Sequence, residues 1–271
     1  NIYLSAGYTN VFVKNVILNS SENGIHLNQA NNNSFSNNTI ANNVKSGIVL
    51  ETKSGWNNFT TTVLKSNGIG FSINDTSCND TLIFKNAFLE NGRHAFDDSN
   101  PEKNSWNASH VGNYWDNLTS DSDSDDDGIC DTDQYSYIKG NANAVDYLPI
   151  CGNPIYNGSA LFVDDTSGSG HSWAWHSTRF WCDGLGTESK PFIMQDLNIN
   201  ASDSGTCILI GNSSVHFTIE GCDITNSGVS GKDSGIKLDN VTNGKIRGNL
   251  IRNNNYGMYL IDTNQTLIFE N

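Results

Sequence analysis

Residues 121–131 read DSDSDDDGICD, with Asp123, Asp125 and Asp127 alternating ahead of Gly128 and followed by Ile129 and Asp131. The pattern D-x-D-x-D-G-x-x-D supplies what a calcium loop needs: hard oxygens at alternate positions, a glycine for the sharp turn after the third, and a backbone carbonyl beyond it. Asp123, Asp125 and Asp127 are the expected side-chain ligands, Ile129 the carbonyl ligand, and Asp131 a ligand directly or through water. Asp121 or Asp133 is available to complete the shell. Carboxylates this close repel one another by about 1 kcal/mol or more per pair unless a divalent ion intervenes. Residues 121–133 are therefore read as a loop for structural Ca2+, against the alternative of a solvated acidic run.

A second cluster, HSWAWHSTRFWC at residues 171–182, brings Trp173, Trp175 and Trp181 together with His171 and His176. Three readings stand beside one another: an aromatic plug over an open core end, with the three tryptophans at the joint between modules; a platform on which sugars stack; and a transition-metal site at the two histidines. Trp106, Tyr114 and Trp115 are expected to close another core end in the same way. Polysaccharide lyases and hydrolases need a carboxylate cluster with a Lys or Arg base, or an Asp pair. Lys237, Asp239, Lys245 and Arg247 could neighbour one another for such a purpose, but alternating surface charge explains them equally well, and no residue is read as catalytic. No Ser-His-Asp or Cys-His motif is present.

Such residues need a scaffold, and the chain carries one as a repeat. NVFVKNVILNSSENGIHL, NSFSNNTIANNVKSGIVL, NFTTTVLKSNGIGFSI and DTLIFKNAFLENGRHAF follow one another from Asn10, Asn33, Asn58 and Asp80, and similar segments begin at Val215 and Thr242. Each holds an alternating strand, a polar Asn-rich corner and a glycine opening another short strand. A fixed interval of about 21 to 27 residues is the mark of a solenoid. Alternation of the type VxFxxNxIxxNxxGIxL turns one apolar set inward, which is strand periodicity. One coil cannot bury that face alone, whereas stacked coils bury it and complete the backbone ladder. Asn suits the corners because it tolerates left-handed backbone and its amide can bond the next corner. Gly24, Gly47, Gly68, Gly235 and Gly257 are expected where a Cβ is unwelcome.

Composition sets the surroundings. With 15 basic and 29 acidic residues, a net charge of -14, the chain is not a binder of nucleic acid or of an acidic membrane surface. No apolar run reaches the roughly 18 residues a membrane span needs. Six cysteines without CxxC spacing argue for disulfides in an oxidising, extracellular compartment, and Cys207 with Cys222 is the favoured pair; buried free thiols are the alternative. Thirteen sequons agree with that address: Asn19, Asn32, Asn37, Asn58, Asn74, Asn79, Asn107, Asn117, Asn157, Asn200, Asn212, Asn240 and Asn264.

In its repeats the chain resembles the NosD-like, carbohydrate-binding and sugar-hydrolase-associated right-handed parallel β-helix proteins found on archaeal surfaces. Residues 184–224, beginning GLGTESKPFI, look like that family's opening signature, and residues 112–150, from GNYW through the Asp-rich loop to DYLP, look like its closing signature. The resemblance implies an all-β, right-handed parallel β-helix in which residues 1–150 finish one module and residues 151–271 supply a linker or cap and begin the next. The acidic loop is similar to the calcium loops of dockerins and thrombospondin repeats; Gln134 stands where an EF-hand has its bidentate glutamate. Copper handling, suggested by the family's name-giving member, is not carried over, because only Met194 and Met258 offer thioethers and the histidines are scattered. Joining the chain's end to its start gives LIFENNIYL, which continues the repeat as LIFKNAFL does at Leu82. The expectation is a structural, glycosylated cell-surface protein, one period of a tandem array in a filament, sheath or surface layer. A glycan-binding adhesin is the alternative, and a polysaccharide lyase or hydrolase the third reading.

Overall fold

The computed structural model describes residues 1–119, 122–131, 134–166 and 170–271. The chain forms two compact units, Asn1–Ser124 with Ile129–Pro154, and Asp125–Gly128 with Ile155–Asn271. Each is an all-β solenoid of three parallel faces, and the regular elements hold a single short helix among the described residues.

In the first unit the chain winds through one short strand per face and returns to the first face after 23 or 24 residues. The first face stacks Ile2–Ser5, Ile25–Asn28, Ser46–Glu51, Ile69–Ile73 and Arg93–Asp97. The second stacks Val11–Val13, Ser34–Ser36, Asn58–Thr60 and Leu82–Phe84; the third, Val16–Leu18, Thr39–Ala41, Val63–Lys65, Ala87–Leu89 and Tyr114–Trp115. Strands of three residues suffice because one inward side chain per strand aligns with its equivalents above and below. Phe12, Phe35, Phe59 and Ile83 form one such column, and Ile17, Ile40, Leu64, Phe88 and Trp115 another. Phe35 lies 4.6 Å, ring centroid to centroid, from both Phe12 and Phe59.

The corners divide between two adjacent residues the work that the sequence assigns to one. The first is left-handed and need not be Asn: Asn32, Trp56, Asn42, Ser66, Lys85 and Glu90 have φ between 51° and 57°. The second is a buried Asn whose side chain runs along the stack. Asn57 Oδ1 accepts from the backbone N–H and the amide of Asn33, both at 3.0 Å, while Asn57 Nδ2 donates to the carbonyl of Ala30 at 2.9 Å. Asn43, Asn67 and Asn91 repeat the arrangement at another corner, and Asn86 and Asn113 at a third. A buried amide satisfied in this way stabilises; one left unpaired costs about 1 to 3 kcal/mol. The glycines serve a different need from left-handed backbone. A Cβ on Gly24 or Gly47 would stand 2.7 Å from the carbonyl oxygen of Gly47 or Gly70 in the next coil, and one on Gly235 would stand 2.8 Å from that of Gly257.

The second unit is less regular. Its first face stacks Leu161–Asp164, Ile208–Ser213, Ser234–Thr242 and Tyr256–Asn264; its second, Phe192–Gln195, Phe217–Glu220, Gly244–Arg247 and Leu267–Phe269; its third, Asn198–Asn200, Asp223–Thr225 and Leu250–Arg252. Steps between paired residues run from 22 to 28 in the stacked coils, but Leu161 pairs with Ile208, 47 positions on. That longer excursion contains the helix Trp173–Ser177.

Candidate metal loop and aromatic caps

Carboxylate oxygens of Asp123, Asp125 and Asp131 lie within 4.8 Å of one another, close enough to share one cation. Ser124 N donates to Asp131 Oδ2 at 2.6 Å, and bonds from Ser124 and Ser122 hold the Asp131 carboxyl below the usual range. Asp127, expected as the third ligand, is not one of the three, and Ile129 is buried in an antiparallel bridge with Ile150. Asp121 and Asp133 lie outside the described residues.

Asp126, which the pattern skips, is a structural anchor of the second unit. It takes a left-handed conformation, φ 56°. Its Oδ1 lies 2.5 Å from His171 Nδ1, its Oδ2 accepts from Ser172 N at 2.7 Å, and its carbonyl accepts from Ser172 Oγ. Ser172 in turn caps the helix, its Oγ accepting from Trp175 N at 3.1 Å. No sequence signal separated Asp126 from the carboxylates around it.

The helix places residues 171–182 over the end of the second unit's core. Trp173 is buried, stacks on Phe192 at 5.1 Å and Phe217 at 5.2 Å, and donates from Nε1 to Ser213 Oγ at 2.9 Å. Trp181 is buried beside Tyr156. Trp175 is held between groups: His171 stacks on it at 3.8 Å, and the Arg179 guanidinium lies 3.7 Å from its ring centroid. Two groups that close occupy both faces of the indole, leaving none for a sugar. Burial pushes the His176 imidazole down to about 4, and its Nε2 bonds the carbonyl of Phe162 at 3.0 Å. His171 and His176 are 6.4 Å apart by ring centroid and each faces a different partner, so they do not converge on a metal.

The first unit is capped by another aromatic stack. Trp115 packs between Phe88 at 4.2 Å and Tyr135 at 3.9 Å, and Trp106 packs against Phe71 and Phe88. Each indole N–H finds a carboxylate: Trp106 Nε1 reaches Asp97 Oδ2 at 3.0 Å, and Trp115 Nε1 reaches Asp146 Oδ2 at 2.9 Å. Asp146 also accepts from Asn113 N and Leu148 N. The glycine of GNYW is required here, because a Cβ on Gly112 would stand 1.9 Å from Asp146 Oδ1.

One expectation is corrected, and one discounted alternative is closed. The disulfide joins Cys130 and Cys151, with Cα atoms 5.0 Å apart, not Cys207 and Cys222. Cys207 precedes a first-face strand and Cys222 a third-face strand, so their Sγ atoms bond carbonyls in different surroundings, Thr225 O and Glu220 O. Cys130 and Cys151 meet because antiparallel bridges join Ile129 to Ile150 and Tyr135 to Asp146. Lys237, Asp239, Lys245 and Arg247 likewise do not gather. Lys237 pairs with Asp239 at 3.1 Å on the first face, while Lys245 and Arg247 belong to the second, where Arg247 pairs with Glu220 at 2.5 Å. Of the thirteen sequon asparagines none is buried; Asn58, Asn79 and Asn107 are half-buried and the rest exposed.

Residues 1–120 match the family model described as periplasmic copper-binding protein (NosD), and residues 185–271 match the model described as right handed beta helix region. No curated protein and no solved structure matches the chain significantly. The side chains present do not fit copper. Met194 is buried in the core, Cys78, Cys182, Cys207 and Cys222 are buried thiols, and the one group of three or more potential ligands among the described residues is all carboxylate, the chemistry of a hard cation. The parallel three-faced coils of both units and the two family models agree on a right-handed β-helix, and over residues 1–120 the chain is similar to the NosD family.

Proposed function

We propose that the chain is a structural protein of the exported space, surface or periplasmic, whose β-helical units serve as a glycosylated, calcium-stabilised scaffold. The observation that supports this best is the use of the interior. Columns of Phe, Ile and Leu and ladders of buried Asn run from coil to coil, so the inward side chains are committed to cohesion along the stack. Ca2+ at Asp123, Asp125 and Asp131 would relieve the repulsion of three close carboxylates. Exposed sequons, Asn19, Asn32, Asn37 and Asn117 among them, would carry N-glycans.

End-to-end association with a second copy fits this reading. Imaging purified material in millimolar calcium tests the proposal: filaments or sheets that dissolve on chelation support it, and monodisperse particles unaffected by calcium overturn it. A glycan platform at Trp173 and Trp175 is not favoured, since both indoles are engaged within the second unit.

A further inference from the structure

One inward column on the first face of the first unit reads Leu4, Leu27, Leu50, Ile73 and then Asp97. Four coils put an aliphatic side chain at this position, and the next puts a carboxylate there, 1% exposed. Its partners are neutral. Oδ2 accepts from Trp106 Nε1 at 3.0 Å and Oδ1 from Ser99 N at 3.1 Å, and among the described residues no Lys, Arg or His pairs with it. A carboxylate taken out of water is costly unless a cation accompanies it. Asp97 lines a cavity of about 290 Å3 whose second carboxylate is the exposed Glu102. Ala142, Ala144 and Val145 give this cavity an apolar wall, Trp106 and Tyr147 border it with rings, and no basic residue lines it among the described residues.

From this geometry we infer that the cavity binds a small primary amine in its ammonium form, one charged head on a short alkyl chain. A carboxylate has roughly four acceptor positions, and the two donors on Asp97 leave others for an ammonium's N–H groups, as charge-assisted bonds. The alanine and valine wall suits the alkyl chain, and Tyr147, 63% exposed, offers a ring face to the charge. The volume stands at the lower end of the usual range of about 300 to 1,000 Å3 for small-molecule sites, more than a bare ion needs and too little for a peptide. A divalent metal ion is not favoured, because Asp97 and Glu102 have no third carboxylate, His or Cys converging with them among the described residues. The net charge of -14 concentrates cations around the whole chain.

Calorimetric titration of the intact chain at neutral pH with n-butylamine, with n-butanol, which has the same alkyl chain without the charge, and with potassium chloride tests this. Butylamine is expected to bind one to one, and less tightly as salt is raised. Asp97→Asn keeps an oxygen for Trp106 Nε1 but removes the charge, and should weaken binding about tenfold or more. Glu102→Gln, at an exposed position, should weaken it about threefold and leave the melting curve unchanged. Should the melting curve show that Asp97→Asn does not fold, Glu102→Gln and the salt dependence decide. Absence of butylamine binding, equal binding of butanol, displacement by potassium at equal concentration, or binding indifferent to the substitutions would each overturn the assignment.

Discussion

Trp115 Nε1 donates to Asp146 Oδ2 at 2.9 Å, tying the last third-face strand of the first unit to a carboxylate with no solvent exposure. Complete burial pushes that carboxyl up to about 7, against the downward pull of N–H donors from Trp115, Asn113 and Leu148. Because the folded state holds the proton more tightly than the unfolded one, Asp146 contributes fully below its unfolded value of 3.8. That contribution is lost as pH rises through about 7. Denaturant titrations at pH 5 and pH 8 should show the wild type losing about 2.6 kcal/mol over that range from this group, and Asp146→Asn should flatten the slope. The substitution should also cost about 2 to 4 kcal/mol, since an amide would point N–H groups at the donors of Trp115 and Asn113. An unchanged slope in Asp146→Asn would refute the assignment.

The second unit should respond to acid in the opposite sense. His176 is neutral and buried, its imidazole pushed down to about 4 from an ordinary 6.5, so the unfolded chain takes up a proton that the folded chain refuses. Stability from this group is present above pH 6.5 and lost as pH falls towards 4, amounting to about 3 kcal/mol. Removing the imidazole with His176→Leu should abolish that acid sensitivity while loosening the packing around Trp175 and Trp181, read by tryptophan emission.

The buried asparagine ladder gives a third prediction. Asn86 Oδ1 accepts from Thr62 N at 3.0 Å, and its Nδ2 donates to the carbonyls of Phe59 and Phe84 and to Asn113 Oδ1. Asn86→Ala strands buried backbone groups on two coils and should cost about 3 kcal/mol. Asn86→Asp keeps the acceptor for Thr62 but loses the donors, and should be no better than Ala. Asn42→Gly, at the exposed left-handed residue before the equivalent Asn43, should instead be nearly neutral, since its φ of 57° suits glycine. Equilibrium unfolding of the three variants separates the ladder's role from the turn's.

The fold was legible because its period is written in apolar residues: Phe12, Phe35 and Phe59 recur at the interval that stacks them. The corners were only half legible. Asn-Asn pairs such as Asn32 with Asn33 hide a division of labour that Trp56 with Asn57 and Lys85 with Asn86 expose, the first residue turning the chain and the second bonding along it. Both aromatic clusters announced themselves by composition, yet whether Trp175 was a platform or a filler depended on His171 and Arg179 closing its two faces. The disulfide depended on the antiparallel bridges that join Ile129 to Ile150 and Tyr135 to Asp146, which no periodicity encodes.

Calcium supplies the last test. Asp123, Asp125 and Asp131 hold three carboxylates within 4.8 Å, a grouping that is repulsive without a cation and chelating with one. Millimolar Ca2+ should raise the melting temperature by several degrees, as binding to the folded state alone requires, and excess chelator should reverse the gain. Asp125→Asn and Asp131→Asn should each remove most of the calcium response; in calcium-free buffer Asp125→Asn should leave stability unchanged or higher because one repulsive charge is gone, whereas Asp131→Asn should lower it because Ser124 N loses its charged acceptor. Asp127→Asn separates two arrangements: a residual response near wild type agrees with the three-carboxylate group, whereas its loss would mean that the loop closes around the ion and recruits the alternating pattern in full. Mg2+ at equal concentration should stabilise less, since a cluster of flexible loop carboxylates suits the larger ion's looser shell.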